Sequence, residues 1–291
     1  MHLPEAFVTQ MQHQLGEEAN QLFSVLDGPS PISIHLHPVK TNPQFVNNHP
    51  VPWHKNLGRY LEERPVFTLD PTFHAGSFYV QEASSMFIAQ GFEYFFKPDQ
   101  RSGLKVLDLC AAPGGKSTLL ASLLPSDAFF LANEVIQSRY QILNHNLDKW
   151  GLPNTSSSNH DPDDFKALEG FFDFILVDAP CSGEGLFRKD ENAREEWSEE
   201  NVILCAGRQK RILQAAVPLL KKGGILAYST CTYNDLENQE NCLWLENEFN
   251  LHHEAIPLTS DWGIVSKERG YQFYPHKVRG EGFFCAFFKK E

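Results

Sequence analysis

The sequence predicts a doubly wound α/β fold, and three observations support this prediction. After about residue 100, short apolar segments alternate with helical patterns, which is the order of a parallel sheet with right-handed crossover helices. Residues 172–177, FDFILV, are apolar except for Asp173, as is typical of a strand that is buried on both faces. Polar motifs follow several of the predicted strands, and such sheets bind ligands outside the carboxyl ends of their strands. We therefore expect the functional site at that edge.

The predicted elements divide the chain into a small N-terminal lobe at 1–75 and a larger domain at 76–291. In the lobe, residues 3–27 carry apolar side chains at helical spacing and 31–60 contain short alternating segments, so an α+β structure is predicted. The larger domain has predicted strands at 105–109, 128–133, 154–160, 172–177, 224–229 and 283–288, the last one antiparallel in a mostly parallel sheet. Its predicted helices lie at 115–124, 136–149, 197–220 and 235–248.

Composition and charge exclude several classes of protein. With 42% hydrophobic and 12% aromatic residues among 291, a disordered chain is excluded. The net charge of -12 argues against coating of nucleic acid by bulk charge, but it leaves room for one local basic face. No apolar run reaches the roughly 18 residues of a membrane span, and the start lacks a signal-peptide pattern. The six cysteines contain no C-x-x-C pair, so we expect no metal site and free thiols in the cytoplasm.

The first chemical motif, DLCAAPGGKS at 108–117, joins a predicted strand to a helix. Its small residues allow a ligand to approach the backbone, and the start of the helix offers free amides to an anion. The Gly-Lys-Ser end is similar to a phosphate loop, but a cysteine stands where that loop needs glycine. The carboxylate of an amino-acid-bearing nucleotide fits better, and an ordinary Gly-rich turn is the alternative. The candidate binding residues are Cys110, Ala111, Ala112, Pro113, Gly114, Gly115 and Lys116.

Two acidic residues follow the next predicted strands. Glu134 comes directly after the strand at 128–133, where a carboxylate is well placed to hold two ribose hydroxyls. Taken alone, Glu134 is equally well explained as a solvated carboxylate at a strand end. Asp161 ends the polar segment 154–160, where a contact to adenine is expected.

Two cysteines follow two core strands. Asp178-Ala179-Pro180-Cys181 comes after the most apolar strand, and Cys231 lies in Ser-Thr-Cys-Thr after the strand at 224–229. If these strands are neighbours, both thiols reach one pocket. A lone buried cysteine is usually a small hydrophobic residue, which is our interpretation of Cys205, Cys242 and Cys285.

A pair of thiols suits one particular reaction. Carbon 5 of cytosine is a poor nucleophile, and a thiolate that adds to carbon 6 turns the ring into an enamine whose carbon 5 attacks an electrophilic methyl group. The thiol needs a lowered pKa, and the addition needs an acid or a charge-stabilising group at nitrogen 3. Asp178 is the candidate for that group. A second thiol is a candidate for the release step.

These motifs, taken in order, resemble one known family. The matching segments are FYVQEASSMF (78–87), DLCAAPGGKST (108–118), DAPCSGEG (178–185), YSTCTYNDLENQE (228–240) and PHKVRGEGFFCAFF (275–288). Together they resemble the Nol/Nop/Sun family of S-adenosylmethionine-dependent RNA cytosine-5 methyltransferases of bacterial ribosomal-RNA type, most clearly over 57–291. The resemblance implies a Rossmann-like class I methyltransferase fold, S-adenosylmethionine as methyl donor and RNA as partner, ribosomal more than transfer RNA. A cytoplasmic monomer without membrane contact is expected.

The resemblance also implies roles for the site residues. It makes Cys231 the nucleophile and Cys181 the group that assists product release. DNA cytosine methyltransferases use the Pro-Cys thiol as nucleophile, so the reversed assignment stays open. The methyl donor would lie along 110–116, and the further contacts would be Glu134 to the ribose, Asp161 to the adenine, Asp178 to the methionine end and Arg139 nearby.

Two other functions stay open at this point. One is a methyltransferase of the same fold that acts on protein or a small molecule, against which the paired cysteines argue. The other is a non-catalytic RNA-binding assembly factor. In addition, His35-Leu36-His37 stands where relatives often have Arg-x-Asn, and many relatives continue into a further RNA-binding domain, whereas this sequence ends just after the last predicted strand.

Basic residues suggest a surface for the RNA backbone. Residues 207–222 carry five basic residues and no acidic one, and Arg188-Lys189 follows the Cys181 motif. If these side chains line the pocket they form a phosphate track, and otherwise they are solvated helix faces. Phe187 is expected to stack on an unpaired base. Further basic candidates are Lys267, Arg269, Lys277 and Arg279.

Overall fold

The computed structural model describes residues 3–291. Its helices are α1 Glu5–Leu15, α2 Ala19–Leu26, α3 Pro71–His74, α4 Phe87–Phe95, α5 Gly115–Ala121, α6 Gln137–Trp150, α7 Glu191–Glu196, α8 Glu199–Leu219 and α9 Gln239–Glu248. Its strands are β1 Ile32–Leu36, β2 Gly58–Leu61, β3 Phe78–Val80, β4 Lys105–Asp108, β5 Phe129–Asn133, β6 Thr155–Ser158, β7 Phe172–Asp178, β8 Leu220–Thr230, β9 Leu251–His253, β10 Val265–Ser266, β11 Tyr271–Phe273 and β12 Phe283–Lys290.

The large sheet confirms the predicted fold class. Its strand order is β10-β11-β12-β8-β7-β4-β5-β6, with β9 paired to β12. Strands β4 to β8 run parallel, and β12 is antiparallel to β8, as expected for the C-terminal strand. The strand order reverses between β4 and β7, and a crevice opens at such a reversal outside the carboxyl ends of the strands.

Helices cover both faces of this sheet, because its central strands are apolar on both sides. Along β7, Phe174 and Leu176 pack into one hydrophobic cluster with α4, α5 and α6, whereas Ile175 and Val177 pack into a second cluster with α8 and α9. The contact between α4 and the sheet is close, since a Cβ at Gly91 would lie 2.0 Å from the ring of Phe287. Continuous apolar strands therefore produce a sheet buried on both faces.

The N-terminal lobe contains a three-stranded antiparallel sheet in the order β2-β1-β3. Strand β3 lies beyond residue 75, so this sheet extends past the predicted domain boundary, which itself stays a prediction. Phe7 and Met11 of α1 share a hydrophobic cluster with Trp197 and Tyr233 of the larger domain. No helix within residues 3–291 is long and apolar enough to cross a membrane.

The two histidines of the lobe motif are core residues. His35 is fully buried and stacks on Tyr79, with ring centroids 5.6 Å apart. His37 Nε2 contacts the carbonyl oxygen of Trp150 at 3.1 Å, which joins β1 to the end of α6. Burial lowers the pKa of His35 to about 3 and that of His37 to about 4. Both rings are therefore neutral at pH 7, and they attach the lobe to the larger domain.

Candidate active site

A cleft of about 400 Å³ opens at the carboxyl ends of β4, β7 and β8. Most of the candidate residues line this cleft, and they come from the motifs at 108–117, 178–185 and 228–240. Those that line it are Cys110, Ala111, Ala112, Pro113, Gly115, Lys116, Asp178 and Cys231. The lining also includes residues that the sequence interpretation had not singled out as site residues, among them Tyr79, Gln81, Glu82, Ser85, Asp108, Glu281, Gly282 and Phe283.

The Gly-rich turn after β4 is held from several sides. The Ala111 amide donates to the carbonyl of Asn133, and Arg139 Nη2 donates to the carbonyl of Ala112, both over 2.8 Å. Gly114 has a φ of 112°, a conformation that favours glycine, and it caps α5 without lining the cleft. A Cβ at Gly115 would lie 3.3 Å from Tyr79 of β3. The N-terminal lobe therefore presses against the turn and forms one wall of the cleft.

Asp108 is a buried carboxyl group at the end of β4. Its Oδ2 accepts a hydrogen bond of 2.7 Å from Ser117, and its Oδ1 is buried without a hydrogen-bond partner among residues 3–291. Burial raises the pKa of Asp108 to about 7, and the hydrogen bond from Ser117 opposes this effect. A ligand donor in the cleft would therefore find an acceptor here. The Asp at the start of DLCAAPGG was the signal for this residue.

Glu134 lies behind the turn rather than in the cleft lining. Its side chain is only 2% exposed, its Oε1 accepts from the Ile136 amide, and its Oε2 lies 3.3 Å from Arg139 Nη1. Because Arg139 also donates to Ala112, this arginine connects Glu134 to the Gly-rich turn. The carboxylate predicted for a ribose is thus fixed beside the turn that was predicted to hold the ligand.

Asp161 is engaged in a surface ion pair. Arg211 donates to both of its carboxylate oxygens, over 3.0 and 3.1 Å. This hydrogen bond to Arg211 lowers the pKa of Asp161. Asp161 is not among the residues that line the cleft, but its neighbour His160 is hydrogen-bonded to Asn133, which in turn accepts from the Ala111 amide of the Gly-rich turn.

The two motif cysteines converge as the neighbouring strands predicted. Asp178 of β7 pairs in register with Ser229 of β8, so both strands end at the same level. Three residues after Asp178 and two residues after Ser229, the Sγ atoms of Cys181 and Cys231 lie 3.2 Å apart, and both thiols are free. Cys231 lines the cleft, whereas Cys181 does not line it and contacts the sulfur of Cys231.

The surroundings of the two thiols favour a thiolate on Cys231. The hydrogen bond from Cys181, together with the positive charges of Lys116 and Lys189, lowers the pKa of Cys231, although burial opposes this effect. The same hydrogen bond, followed by burial and the charge of Glu237, raises the pKa of Cys181. The Cys231 amide donates to Cys181 Sγ over 3.3 Å, which opposes this rise in the pKa of Cys181 without reversing it. This arrangement is consistent with a neutral Cys181 thiol that donates to a Cys231 thiolate.

Asp178 forms a charge pair with Lys116 across the cleft. Its Oδ2 accepts from Lys116 Nζ and its Oδ1 accepts from Ser229 Oγ, each over 2.7 Å. Burial lowers the pKa of Lys116, but the carboxylate of Asp178 raises it on balance. The Lys116 ammonium lies 5.2 Å from the centre of the Phe283 ring. The cleft thus contains a carboxylate, an ammonium and an aromatic face beside the Cys231 thiol.

Two buried glutamates hold the cysteine turns in place. Glu237 Oε2 accepts from the Ser182 amide over 3.0 Å and from Gln209 over 2.7 Å, and Gln209 also donates to the carbonyl of Pro180. Glu184 accepts from the Tyr233 amide over 2.9 Å, just beyond Cys231. Burial raises the pKa of Glu237 to about 7. Neither glutamate touches the cleft, so their contribution is to position the backbone around the thiols.

The basic residues do not form the expected track along the cleft. Lys116 and Lys189 are the cations among its lining residues, and Lys189 is exposed. Within 207–222, Arg211 pairs with Asp161 and Lys221 pairs with Asp173. No basic residue of this stretch is among the residues that line the cleft, which favours the alternative of helix-face charges over a phosphate track.

Phe187 is also not available to stack on a base. The ring is 1% exposed and packs edge-to-face on Phe7 of α1, with centroids 4.9 Å apart. The sequence could not show that α1 covers this position. The aromatic side chains that line the cleft are Tyr79 of β3 and Phe283, the first residue of β12.

Comparison with known proteins agrees with the motifs. The family model described as 16S rRNA methyltransferase RsmB/F matches residues 94–289, and that of the N-terminal domain of 16S rRNA methyltransferase RsmF matches residues 3–83. Ribosomal RNA small subunit methyltransferase F of Salmonella agona (strain SL483) is 34% identical over 310 residues, which cover 100% of this chain and 64% of that protein. The chain therefore spans less than two thirds of the length of this relative.

Solved structures show the same fold over nearly the whole chain. A methyltransferase homolog protein from Pyrococcus horikoshii is 27% identical with a TM-score of 0.82, over 99% of this chain and 95% of that chain. NSun6 from Pyrococcus horikoshii, crystallised with SFG, has a TM-score of 0.82 at 20% identity, over 99% and 98% of the two chains, which shows the fold alone. The family model confirms the resemblance predicted from the motifs. The chain belongs to the RsmB/F family of 16S rRNA methyltransferases.

Proposed function

We propose that this chain transfers a methyl group from S-adenosylmethionine to carbon 5 of a cytosine in 16S ribosomal RNA, through a covalent adduct with Cys231. The observation that carries the proposal is the pair of thiols, 3.2 Å apart, beside the Gly-rich turn in one cleft. Methylation of an amine or an oxygen needs no thiol, whereas methylation of carbon 5 needs a nucleophile that activates the ring. A protein or small-molecule substrate would leave this pair without a role.

The residues around the turn fit the proposed methyl donor. The cleft of about 400 Å³ is within the range of small-molecule sites, and the buried Oδ1 of Asp108 is an acceptor without a partner. Residues 110–116 and Asp178 would hold the amino-acid part, Glu134 the ribose and Asp161 the adenine. When bound, S-adenosylmethionine supplies an electrophilic methyl group on a sulfonium centre.

The proposed chemistry begins at Cys231. Its thiolate adds to carbon 6 of the cytosine, and the ring electrons move to carbon 5, which then takes the methyl group while the donor leaves as a neutral thioether. Asp178 can accept a hydrogen bond from the exocyclic amine or from a protonated nitrogen 3. Lys116 can stabilise the charge that ring addition develops. Because Asp178 and Lys116 are hydrogen-bonded to each other, both side chains would contact the same cytosine.

Release needs a base that removes the proton from carbon 5. Loss of this proton returns its electron pair to the ring, the carbon 6–sulfur bond breaks, and Cys231 recovers its thiolate. Cys181 is our candidate for assisting this step, because its sulfur is in contact with that of Cys231. An unpaired or flipped cytosine is required, since a base within a helix cannot reach the cleft.

The test is transfer of a labelled methyl group. Purified protein is incubated with methyl-labelled S-adenosylmethionine and either 16S ribosomal RNA or transfer RNA, both from cells that lack the gene, and bisulfite sequencing then locates the product. We expect 5-methylcytosine in 16S ribosomal RNA, made by a monomeric cytoplasmic enzyme. Label in an added protein fraction would favour the protein substrate. RNA binding without any transfer would favour the assembly factor.

A further inference from the structure

A second pocket lies in the N-terminal lobe next to the catalytic cleft. It has a volume of about 300 Å³ and is lined by Asn47, Asn48, His49, Tyr60, Glu62 and Arg279. Arg279 comes two residues before Glu281, which lines the cleft, and two residues span at most about 7 Å of chain. The two cavities are therefore neighbours, and one bound strand can reach both.

The walls of this pocket suit an aromatic base. The Arg279 guanidinium lies 4.4 Å from the centre of the Tyr60 ring. Tyr60 is only 5% exposed, and its hydroxyl has no hydrogen-bond partner within residues 3–291. Asn47 and His49 are exposed at the rim with side chains that can donate and accept. Guanidinium planes and polar edges of this kind recognise unpaired bases in RNA.

The loop that carries these side chains is fixed before any ligand binds. Arg59 donates hydrogen bonds from its guanidinium to four backbone carbonyls of this loop, those of Val46, Lys55, Asn56 and Gly58. Asn48 Nδ2 donates to the carbonyl of Tyr60 over 3.2 Å, which closes the loop onto β2. A preformed loop lowers the entropy cost of binding.

The pocket lining carries one cation, Arg279, and one carboxylate, Glu62, and this balance suits a base better than a phosphate. Residues 28–61 contain no acidic side chain, although the whole chain has a net charge of -12. Glu62 is the one carboxylate in the pocket lining, and it repels a bare phosphate but can accept from a base amine or ring N–H.

We propose that this pocket binds the base of an unpaired nucleotide that flanks the target cytosine in the RNA. The inference rests on the proposed function, and it assigns the lobe a direct part in substrate choice. The base stacks on the Arg279 guanidinium, which itself packs on the Tyr60 ring, and presents its hydrogen-bonding edge to Asn47, His49 and Glu62. An abasic nucleotide at this position would therefore not bind in the pocket.

Photocrosslinking of a trapped complex tests the inference. 16S ribosomal RNA is transcribed with 5-fluorocytidine, which blocks loss of the group at carbon 5 and traps the adduct, and with 4-thiouridine and 6-thioguanosine as photoreactive bases. After irradiation in the presence of S-adenosylmethionine, we expect crosslinked peptides within 47–62. An adduct whose crosslinks all fall elsewhere on the chain overturns the inference but leaves the proposed function intact. Absence of any adduct with the wild-type protein refutes both.

Kinetics with matched variants provide the second readout. Arg279→Gln is expected to raise KM for RNA by about tenfold, within the range for one stacked base, and to leave kcat and the Kd for S-adenosylmethionine unchanged. An abasic nucleotide at the crosslinked position is expected to raise KM in the wild type but not further in Arg279→Gln. Arg64→Gln, a change at an exposed arginine of the lobe outside the pocket, is the control. Equal KM values for all variants overturn the inference.

Discussion

The Sγ atoms of Cys181 and Cys231 lie 3.2 Å apart, although the two residues are 50 positions apart in the chain. Either thiol can donate to the other, and the Cys231 amide donates to Cys181 Sγ. The contact with Cys181 and the positive charges of Lys116 and Lys189 lower the pKa of Cys231, whereas the contact with Cys231 and burial raise the pKa of Cys181. This difference is consistent with Cys231 as the proposed nucleophile.

Replacement of the proposed nucleophile separates binding from chemistry. Cys231→Ser is expected to abolish methyl transfer to RNA, because a serine hydroxyl is not ionised near pH 7 and cannot add to carbon 6. Binding of S-adenosylmethionine, measured by calorimetry, is expected to stay within about twofold, since the donor contacts proposed here lie on other residues. Retained methyl transfer by Cys231→Ser would show that Cys231 is not the nucleophile.

Replacement of the second cysteine tests the release step. Cys181→Ala is expected to form the adduct and then fail to release it, so a denaturation-resistant protein–RNA band accumulates on a gel. Cys205→Ala, a buried cysteine that is not in contact with the pair, is the control and should show no band. Accumulation with Cys231→Ala instead would mean that the two roles are reversed.

The pH dependence of alkylation reports the state of Cys231. Because the hydrogen bond from Cys181 lowers the pKa of Cys231, its thiolate persists to a lower pH than that of an ordinary cysteine. Iodoacetamide modification of the Cys231 peptide, followed by mass spectrometry, should therefore have its midpoint below pH 9. In Cys181→Ala the donor is lost, and the midpoint is expected to move to higher pH. An unchanged midpoint would show that the contact has no electrostatic effect.

Glu134 tests the proposed ribose contact. Glu134→Ala is expected to weaken binding of S-adenosylmethionine by about 1–3 kcal/mol, the scale for loss of hydrogen bonds to a charged group. Calorimetry measures this directly, with Glu195→Ala on the exposed side of α7 as the control. Equal affinity of wild type and Glu134→Ala would reject the ribose role.

Two glycine substitutions compare a crowded site with an open one. A Cβ at Gly185 would lie 2.4 Å from the Gly282 carbonyl oxygen and 2.8 Å from that of Cys231, so Gly185→Ala is expected to displace the nucleophile's backbone. We expect a loss of about 1–3 kcal/mol of stability and of most activity. Gly207 in α8 faces open space, and Gly207→Ala is expected to add about 0.5–1 kcal/mol. Urea unfolding of both variants checks the contrast.

Much of the fold was predictable because its signals are local. Strand β7 contains an unbroken apolar run at 174–177, and the turns after β4, β7 and β8 carry their motifs within ten residues. The short strands β9, β10 and β11 have weak local signals and were missed, and helix α4 was missed although its apolar residues recur at helical spacing. Strand β3 was also missed, and because it pairs with β1 it brings Tyr79 to the cleft.

The sequence by itself determined the alternation of the main strands and helices of the large sheet, the three turns that form the cleft and the residue types available for chemistry, since each depends on nearest neighbours along the chain. Only the tertiary structure decided which of these residues meet. It brought Cys181 against Cys231, buried Phe187 under α1, and left the basic residues of 207–222 out of the cleft lining. The reason is that contacts between distant segments depend on which strands pair and which helix faces are covered, and no local pattern encodes that choice.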